Sequence, residues 1–263
     1  HLYAYDLSTD RLEEVSRSLP DGVLTRHAGI IALAAVPGPS LVAGLAHPTS
    51  DIVLYDYARG RIERTIPGIP WRAGNPLSRE IVATRRGKIF TYRGTEEPTR
   101  RRESHRIWVY DLQTGEHRPT SYRATGGFWN GQTWSGDGKT IYLATVNGEL
   151  YRLDADSDEI TPLGHFLPRA EYEAGERIDQ LYGITLANDE GKIYGLPRRH
   201  RSKQATLYAY DIATGTVTAA GTLDPGIYTG SHVRDSRGTI YLARFGGAER
   251  WEGNAGLAMV RAA

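Results

Sequence analysis

The stretch "LYAYDLSTD" at residues 2–10 decides the fold, because similar stretches return four more times along the chain. They are "IVLYDYARG" at 52–60, "IWVYDLQTG" at 107–115, "LYRLDADSD" at 150–158 and "LYAYDIATG" at 207–215. Each is an apolar run closed by an aspartate and a polar or glycine turn, with a second extended segment after it, which is the pattern of a β-hairpin. The closing aspartates are 50, 55, 43 and 57 residues apart. Repeats of that length are typical of arrays of four-stranded units.

The segments upstream of the hairpins complete the repeating unit. Ahead of "ELYRLD" stands "NGQTWSGDGKTIYLATVNG" at 130–148, which predicts two strands and a two-residue turn at Asn147-Gly148. The same order recurs in "GITLANDEGKIYGL" at 183–196 and "GSHVRDSRGTIYLARF" at 230–245. We therefore predict units of four antiparallel strands, named a to d in chain order. Only "RAEYEAGERI" at 169–178 suggests a helical turn.

These repeats resemble those of the quinoprotein-like and NHL-type β-propellers. The likeness is carried by "KTIYLATVNGELYRLDADSDEI" at 139–160, in which an aromatic strand precedes a hairpin of the form "G.LY..D". It extends over essentially the whole chain and implies an all-β propeller of four-stranded antiparallel blades. Binding modules, scaffolds and enzymes share this pattern, so the resemblance implies an architecture and leaves the activity open.

The strand tally predicts five blades within a single domain, residues 1–263. The pattern contains five a, five b, six c and five d strands, or 21 in all. Because only strand d is missing from the last unit, 223–263, we predict that the N-terminal strands within 1–18 close the ring. In that arrangement residues 11–15 pair with 257–261. The alternative is an incomplete seven-bladed propeller, which would leave open sheet edges.

Composition excludes several classes of partner and of chemistry. The formal net charge is only +1, so no electrostatic footprint for nucleic acid or an anionic membrane is present. No apolar run approaches the roughly 18 residues of a membrane helix. Zero cysteines exclude disulfides, thiolate metal sites and cysteine nucleophiles. We predict no nucleic-acid partner, no membrane partner, no cofactor and no metal. The localisation is left open, with a secreted or periplasmic bacterial location slightly preferred.

Three conspicuous charge patterns have ordinary structural interpretations. The aspartates that close the c strands are interpreted as turn residues that bond their own backbone. The run "DADSDE" at 154–159 looks like a calcium loop but lacks its central glycine and terminal bidentate glutamate, so we interpret it as a hairpin turn. The basic stretches at 85–106 and 197–203 are interpreted as solvated loops between strands b and c. Together they are a candidate for a basic rim that contacts an acidic partner.

The candidate site is the set of residues that enter the a strands. In a propeller the a strands line the central axis, so residues at equivalent positions converge on one funnel. Aligning the units on the start of strand b brings five segments into register: "RHAGII", "NPLSRE", "GFWNGQ", "DQLYGI" and "GIYTGS". The polar and aromatic residues that we predict to converge on the funnel are Arg26, His27, Asn75, Arg79, Trp129, Asn130, Gln132, Asp179, Gln180, Tyr182, Tyr228 and His232. Aromatic faces with amide and arginine donors suit a sugar or a similar polar ring.

Two functions are compatible with this funnel. The first is a non-catalytic module that binds a polar small molecule or glycan in the funnel, or a protein on its rim. The second is a polysaccharide lyase that cleaves a uronic-acid glycan by β-elimination, a possible kinship with the propeller lyases at the level of fold alone. Arg79 or Arg26 would then neutralise the uronate carboxylate. The base would be His232, Tyr182, Tyr228 or His27, which are catalytic candidates for this alternative only. A hydrated channel that tolerates polar side chains without binding anything is the third interpretation.

Overall fold

The computed structural model describes residues 3–14, 29–47, 49, 51–67, 81–92, 104–125, 131–145, 147–186, 191–199, 205–223, 227–245 and 256–261. These residues form 21 β-strands and one short helix, in agreement with the predicted tally. Four antiparallel sheets have four strands each, one has three and one has two. The four-stranded sheets are propeller blades, and the predicted all-β propeller fold is confirmed. Within the described part of the chain, no helix combines the length and apolar character needed to span a bilayer.

The chain divides into two compact units, one made of His1–Arg100 and Ile107–Thr120, the other of Arg101–Arg106 and Ser121–Ala263. The single domain of 263 residues, with the N-terminal strands closing the ring, stays a prediction.

The first unit contains a hairpin and most of two blades. The hairpin is β1 (Tyr3–Asp6) and β2 (Arg11–Glu14). The first blade is β3 (Gly29–Val36), β4 (Leu41–His47), β5 (Ile52–Asp56) and β6 (Arg61–Ile66). The second blade is β7 (Val82–Ala83), β8 (Lys88–Tyr92), β9 (Ser104–Asp111) and β10 (His117–Thr125), and the division between the units crosses β9 and β10. All five residues of β5 are buried, as expected for a strand covered on both faces.

The second unit contains three sheets. The third blade is β11 (Gln132–Trp134), β12 (Thr140–Ala144), β13 (Glu149–Asp154) and β14 (Ile160–His165). A crossover holding α1 (Arg169–Glu173) leads to the fourth blade: β15 (Ile178–Leu186), β16 (Lys192–Arg199), β17 (Ala205–Asp211) and β18 (Val217–Leu223). The last sheet is β19 (Ile227–Arg234), β20 (Thr239–Phe245) and β21 (Gly256–Arg261). The helical turn suggested by the sequence is therefore present as α1.

The c-to-d turns follow one chemical rule. The Oδ1 of Asp56 accepts hydrogen bonds from the backbone N–H groups of Ala58 and Arg59, both at 3.0 Å. Equivalent bonds are present at Asp111, Asp154 and Asp211, and Asp6 accepts from Ser8. The position four residues after each aspartate has a positive φ, and these positions are Asp10, Gly60, Gly115, Asp158 and Gly215. The interpretation of the closing aspartates, including the one in "DADSDE", as turn residues is confirmed.

The b-to-c turn of the third blade is one residue longer than predicted. The Thr145 N–H donates to the Glu149 carbonyl at 2.9 Å, and the Gly148 N–H donates to the Thr145 carbonyl at 3.0 Å. Gly148 has φ +88°. Three residues therefore connect the strands, with the glycine in the left-handed conformation, and the two-residue turn expected at Asn147-Gly148 is wrong.

Apolar side chains from neighbouring sheets form the cores within each unit. In the first unit they come from both blades and include Val36, Leu45, Ile52, Ile66, Ile89 and Tyr110. In the second unit, the core between the third and fourth blades includes Tyr142, Leu150, Phe166, Ile178, Leu181 and Tyr208. A further core, between the fourth blade and the last sheet, includes Leu196, Leu207, Ile240 and Leu242. Face-to-face packing of sheets through such cores is how propeller blades stack.

Candidate functional site

Half of the predicted funnel residues lie on three strands of the second unit. Gln132 begins β11, Asp179, Gln180 and Tyr182 lie on β15, and Tyr228 and His232 lie on β19. The other six are outside the described residues, so the structure does not test their predicted positions. They are Arg26, His27, Asn75, Arg79, Trp129 and Asn130.

The three strands are the first strands of consecutive sheets, and they are neighbours in space. β15 contacts β11, the first strand of the preceding sheet, and also β19, the first strand of the following sheet. Strand a of each sheet therefore approaches strand a of the next, as at the axis of a propeller. The backbone positions of Gln132, Tyr182 and His232 are thus carried on adjoining strands, although 100 residues of sequence separate the first from the last.

The pairing of β15 and β19 with their b strands is interrupted at the predicted site residues. In β15, Leu181 pairs with Pro197 and Ile184 pairs with Gly195, so Tyr182 and Gly183 together stand opposite Leu196. Two residues facing one is the definition of a β-bulge.

The interruption in β19 is larger. Thr229 pairs with Ala243 and Val233 pairs with Tyr241, which leaves residues 230–232, including His232, opposite Leu242. Gln132 of β11 pairs with Leu143, which occupies the same repeat position as Leu242, while Leu196 is one residue further along its strand. Gln132, Tyr182 and His232 therefore stand opposite positions of strand b that are equivalent in the repeat or one residue apart. Bulges are enriched beside active sites because they change the direction of a side chain.

A second polar cluster, which sequence reasoning missed, lies where the third blade passes to the fourth. His165 ends β14 and pairs with Glu149, the first residue of β13. Its ring is 5.2 Å from the Tyr172 ring, centroid to centroid, with the planes tilted by 45°. The guanidinium carbon of Arg177 is 4.3 Å from the centroid of the same tyrosine ring. We call His165, Tyr172 and Arg177 the crossover cluster.

Burial determines the electrostatics of His165. Its Nδ1 is inaccessible to solvent and has no hydrogen-bond partner among the described residues. Desolvation lowers the pKa of the imidazole, and the Arg177 charge lowers it further. A hydrogen bond to the Asn147 backbone and the Glu149 charge oppose that effect. His165 is therefore neutral at pH 7, with one ring nitrogen shielded from water.

The crossover is held in place by hydrogen bonds to the fourth blade and by packing. The Tyr208 hydroxyl donates to both carboxylate oxygens of Glu171, at 3.2 and 3.3 Å, although Tyr208 itself is almost completely buried. Phe166 and Leu167 are buried in the core between the blades. A Cβ on Gly195 would lie 2.8 Å from the Phe166 ring, so the strand needs a glycine where the ring packs. The sequence signal that marked this region was only the weak helical pattern at 169–178.

Other chemically suggestive features of the described residues are modest. No group of three or more His, Cys, Asp or Glu side chains with metal-binding geometry is found among them. A surface cleft of about 410 Å³ in the first unit is lined by Pro39, Ser40, Leu41, Asp56, Ala58, Arg59 and Glu63. Asp56 and Glu63 are both ion-paired with Arg59 there, at 3.3 and 3.6 Å. Its polar groups are thus engaged with one another.

Comparisons with known proteins support the fold. No family model matches the sequence, and no curated protein matches it. Among solved structures, an oligogalacturonate lyase in complex with manganese is similar with a TM-score of 0.57 and 12% identity, over 92% of this chain and 67% of that one. The hydrazine synthase of Kuenenia stuttgartiensis is similar with a TM-score of 0.54 and 16% identity, over 85% of this chain and 57% of that one. The chain thus spans little more than half of the second protein. Likeness at such identities establishes a shared fold and no shared activity.

Proposed function

We propose that this chain is a β-propeller ligand-binding module whose inner strands hold a carbohydrate or a similar polar ring. The observation that carries the proposal is the juxtaposition of β11, β15 and β19, with pairing interrupted at Tyr182 and His232. In a regular strand, successive side chains point to opposite faces of the sheet. The bulges on these neighbouring inner strands interrupt that alternation, and a bulge is a known device for changing the direction of a side chain.

The residue types at these positions suit a sugar better than an aliphatic ligand. A sugar ring needs an apolar face for its C–H groups and several donors and acceptors for its hydroxyls. Gln132, Asp179 and Gln180 supply amide and carboxylate groups, and Tyr182 and Tyr228 supply aromatic faces with a hydroxyl. Trp129 and Arg79 belong to the same proposed site by their repeat positions. A protein bound at the rim is the competing outcome for the same module.

Calorimetric titration with two matched polymers tests the proposal. An oligogalacturonate and a neutral oligogalactan of the same length are titrated into the full chain and into His232→Ala and Tyr182→Phe variants. We expect the wild type to bind at least one of them, and each variant to bind about tenfold more weakly, the loss expected for one polar contact. Tyr241→Phe is the matched control, because its hydroxyl bonds Asp235 within the last sheet and should not affect binding. Wild-type protein that binds neither polymer contradicts the proposal.

A polysaccharide lyase is the second candidate function. It is favoured by the placement of His232 and Tyr182, two side chains able to act as bases, at bulges of adjoining inner strands, and by the fold shared with an oligogalacturonate lyase. In β-elimination a base removes the C5 proton of a uronate, the C4–O4 bond breaks as the C4=C5 double bond forms, and O4 leaves as a hydroxyl after taking a proton. A cation such as Arg79 or Arg26 would stabilise the carboxylate during proton removal. The manganese belongs to the other protein, and no step here is assigned to a metal.

Ultraviolet absorbance of the unsaturated product separates the two functions. A lyase should release this product from oligogalacturonate, and His232→Ala should slow the release by about a hundredfold or more while substrate binding persists. A binding module should release none before or after substitution. Release that is unchanged in both His232→Ala and Tyr182→Phe would remove these residues from the catalytic assignment.

A further inference from the structure

The crossover cluster presents a preorganised cation outside the funnel set. Arg177 precedes β15, and its Nη1 donates to the backbone carbonyls of Tyr172 at 2.9 Å and Glu176 at 2.7 Å. The guanidinium also lies over the Tyr172 ring. These contacts hold one side of the planar group, and Nε and Nη2 make no hydrogen bond among the described residues. An arginine fixed in this way keeps one edge of N–H donors free. Because its side chain is already ordered in the folded protein, a ligand that binds this edge loses little affinity to side-chain ordering.

The carboxylates around Arg177 are mostly engaged elsewhere. Glu173 accepts a hydrogen bond from Arg169 at 2.7 Å, Glu171 accepts the Tyr208 hydroxyl, and Glu149, at 3.1 Å, shares the single Tyr151 hydroxyl proton with the Arg123 carbonyl. Arg177 has no ion-pair partner among the described residues, whereas Arg169 does. Glu176 is the exception, because it is adjacent in sequence and its side chain has no described partner. Arg177 is therefore able to bind an anionic ligand, whereas the neighbouring Glu176 carboxylate opposes that binding.

The rings of His165 and Tyr172 give the cluster an aromatic surface that the binding of a small inorganic anion would not require. Tyr172 contacts both His165 and Arg177, and 44% of it is exposed. Its accessible part provides an apolar surface next to the free guanidinium edge. An arginine fork beside an aromatic surface matches a ring that bears a carboxylate, since the fork pairs with the carboxylate and the ring carbons contact the tyrosine.

We propose that His165, Tyr172 and Arg177 form a binding site for a sugar acid, with the carboxylate on Arg177 and the sugar ring against Tyr172. The inference rests on the proposed function, because it adds a uronate-selective contact to a carbohydrate-binding propeller. The site lies at the start of β15, one residue before Ile178 and two before Asp179 of the funnel set. A glycan chain bound along the inner strands would therefore contact Arg177 beside the first residue of β15.

His165 acts as the internal reporter of an occupied site. Its ring contacts Tyr172, and the nearby charges of Glu149 and Arg177 act on its pKa in opposite directions, the first raising it and the second lowering it. A carboxylate bound on Arg177 would offset the cation and favour the imidazolium, which raises the pKa of His165. By linkage the sugar acid binds more tightly as pH falls through that pKa.

Titration of His165 by NMR with and without D-galacturonate tests the site directly. We expect saturating galacturonate to raise the pKa of His165 by about half a unit, a shift ordinary for a neighbouring charge, and D-galactose to leave it unchanged. Arg177→Gln should abolish the shift, and Arg177→Lys should retain part of it because the charge remains and the fork is lost. Arg169→Gln is the matched control in the same segment and should preserve the shift. Urea unfolding midpoints verify that every variant is folded.

Calorimetry with oligogalacturonate separates this inference from the proposed function. Arg177→Gln should weaken binding about tenfold and Glu176→Gln should strengthen it, as expected when one favourable and one opposing charge are removed. If His232→Ala weakens binding and Arg177→Gln does not, the crossover site is wrong and the funnel stands. If only Arg177→Gln weakens it, the funnel assignment is wrong and the crossover site stands. Equal binding of oligogalactan, or of a polyglutamate peptide, overturns the assignment to sugar acids.

Discussion

The Tyr210 hydroxyl donates a hydrogen bond to the Leu163 carbonyl at 3.1 Å, which ties strand c of the fourth blade to strand d of the third. The same relationship recurs one blade earlier, where the Tyr151 hydroxyl donates to the Arg123 carbonyl at 2.9 Å. A strand-c tyrosine thus reaches back to the outer strand of the preceding blade in both cases. The Tyr210 bond couples the third and fourth blades, which also meet through apolar packing.

Removing the Tyr210 hydroxyl should loosen that coupling without creating a cavity. We expect Tyr210→Phe to lower the free energy of unfolding by about 1 kcal/mol, the usual net contribution of one hydrogen bond. Urea unfolding followed by tyrosine and tryptophan fluorescence measures the change. Tyr57→Phe is the control, because Tyr57 is 60% exposed on a turn and should have no effect. A loss equal to that of the control would mean that the Leu163 carbonyl bonds water equally well.

Arg64 of β6 couples the blades of the first unit by a different route. Its Nη1 donates to the carbonyls of Leu112 and Gln113 at 3.1 and 3.2 Å, and its Nη2 donates to Thr114 at 3.1 Å. A Cβ on Gly115 would lie 2.1 Å from Nη2, so the glycine leaves space for the guanidinium. We expect Arg64→Ala to cost about 2 kcal/mol, because three carbonyls lose a charged donor.

Gly115→Ala isolates the same contact by a matched comparison. Gly60 occupies the equivalent turn position with φ +66°, against +76° for Gly115, and a Cβ there meets nothing within 4 Å. Gly60→Ala should therefore cost only the backbone strain of a left-handed alanine, about 1 kcal/mol. Gly115→Ala should cost more, and the excess should vanish in an Arg64→Ala background. A persistent excess in that double variant would contradict the role of Arg64.

The lowered pKa values of the turn aspartates predict how the stability of the fold responds to acid. Hydrogen bonds from the Ser157 and Asp156 backbone and the Ser157 hydroxyl lower the pKa of Asp154. Similar bonds from Ser8 lower the pKa of Asp6 to about 2. A carboxyl whose folded pKa is below its unfolded value of 3.8 stabilises the fold above that value, and this stabilisation is lost as pH falls towards the folded pKa.

The unfolding midpoint in urea should therefore drop between pH 5 and pH 2, around the carboxylate range. Asp154→Asn should reduce stability at pH 7 and make the acid dependence shallower. Glu159→Gln, an exposed change in the same turn, should leave both unchanged. An Asp154→Asn protein with the acid dependence of the wild type would show that the turn carboxylate is not responsible.

Closure of the ring by the N-terminal strands has a separate test. The hairpin β1–β2 exposes Tyr3, Tyr5 and Leu12, whereas Tyr55, at the repeat position of Tyr5, is 6% exposed. If residues 11–15 pair with 257–261, deleting residues 1–18 should lower the melting temperature and increase aggregation, because an unpaired edge is exposed. Calorimetry and light scattering report both effects. Leu7→Ser, a change at an exposed turn residue, is the control, and a deletion that melts like the full chain would contradict closure.

Much of the architecture was predictable because it depends on short-range chemistry. The apolar run, closing aspartate and positive-φ position recur together, so strands and c-to-d turns are recognisable within about ten residues of sequence. The b-to-c turn at Asn147-Gly148 shows the limit of such local reasoning. Its dipeptide favours a two-residue turn in isolation, but Gly148 packs where a Cβ would lie 2.2 Å from the Ile178 side chain, and the connection has three residues.

The amino-acid sequence by itself determined the repeated four-stranded unit, the order of the 21 strands and the turn function of the aspartates, because periodicity and turn propensity act between residues close in the chain. Only the tertiary structure decided which residues of different blades meet. Arg64 reaches carbonyls some 50 residues away, and the bulges at Tyr182 and His232 arise from pairing between whole strands. The cluster of His165, Tyr172 and Arg177 spans only residues 165–177, but its contacts depend on how the crossover between two blades folds, which no strand or turn pattern specifies.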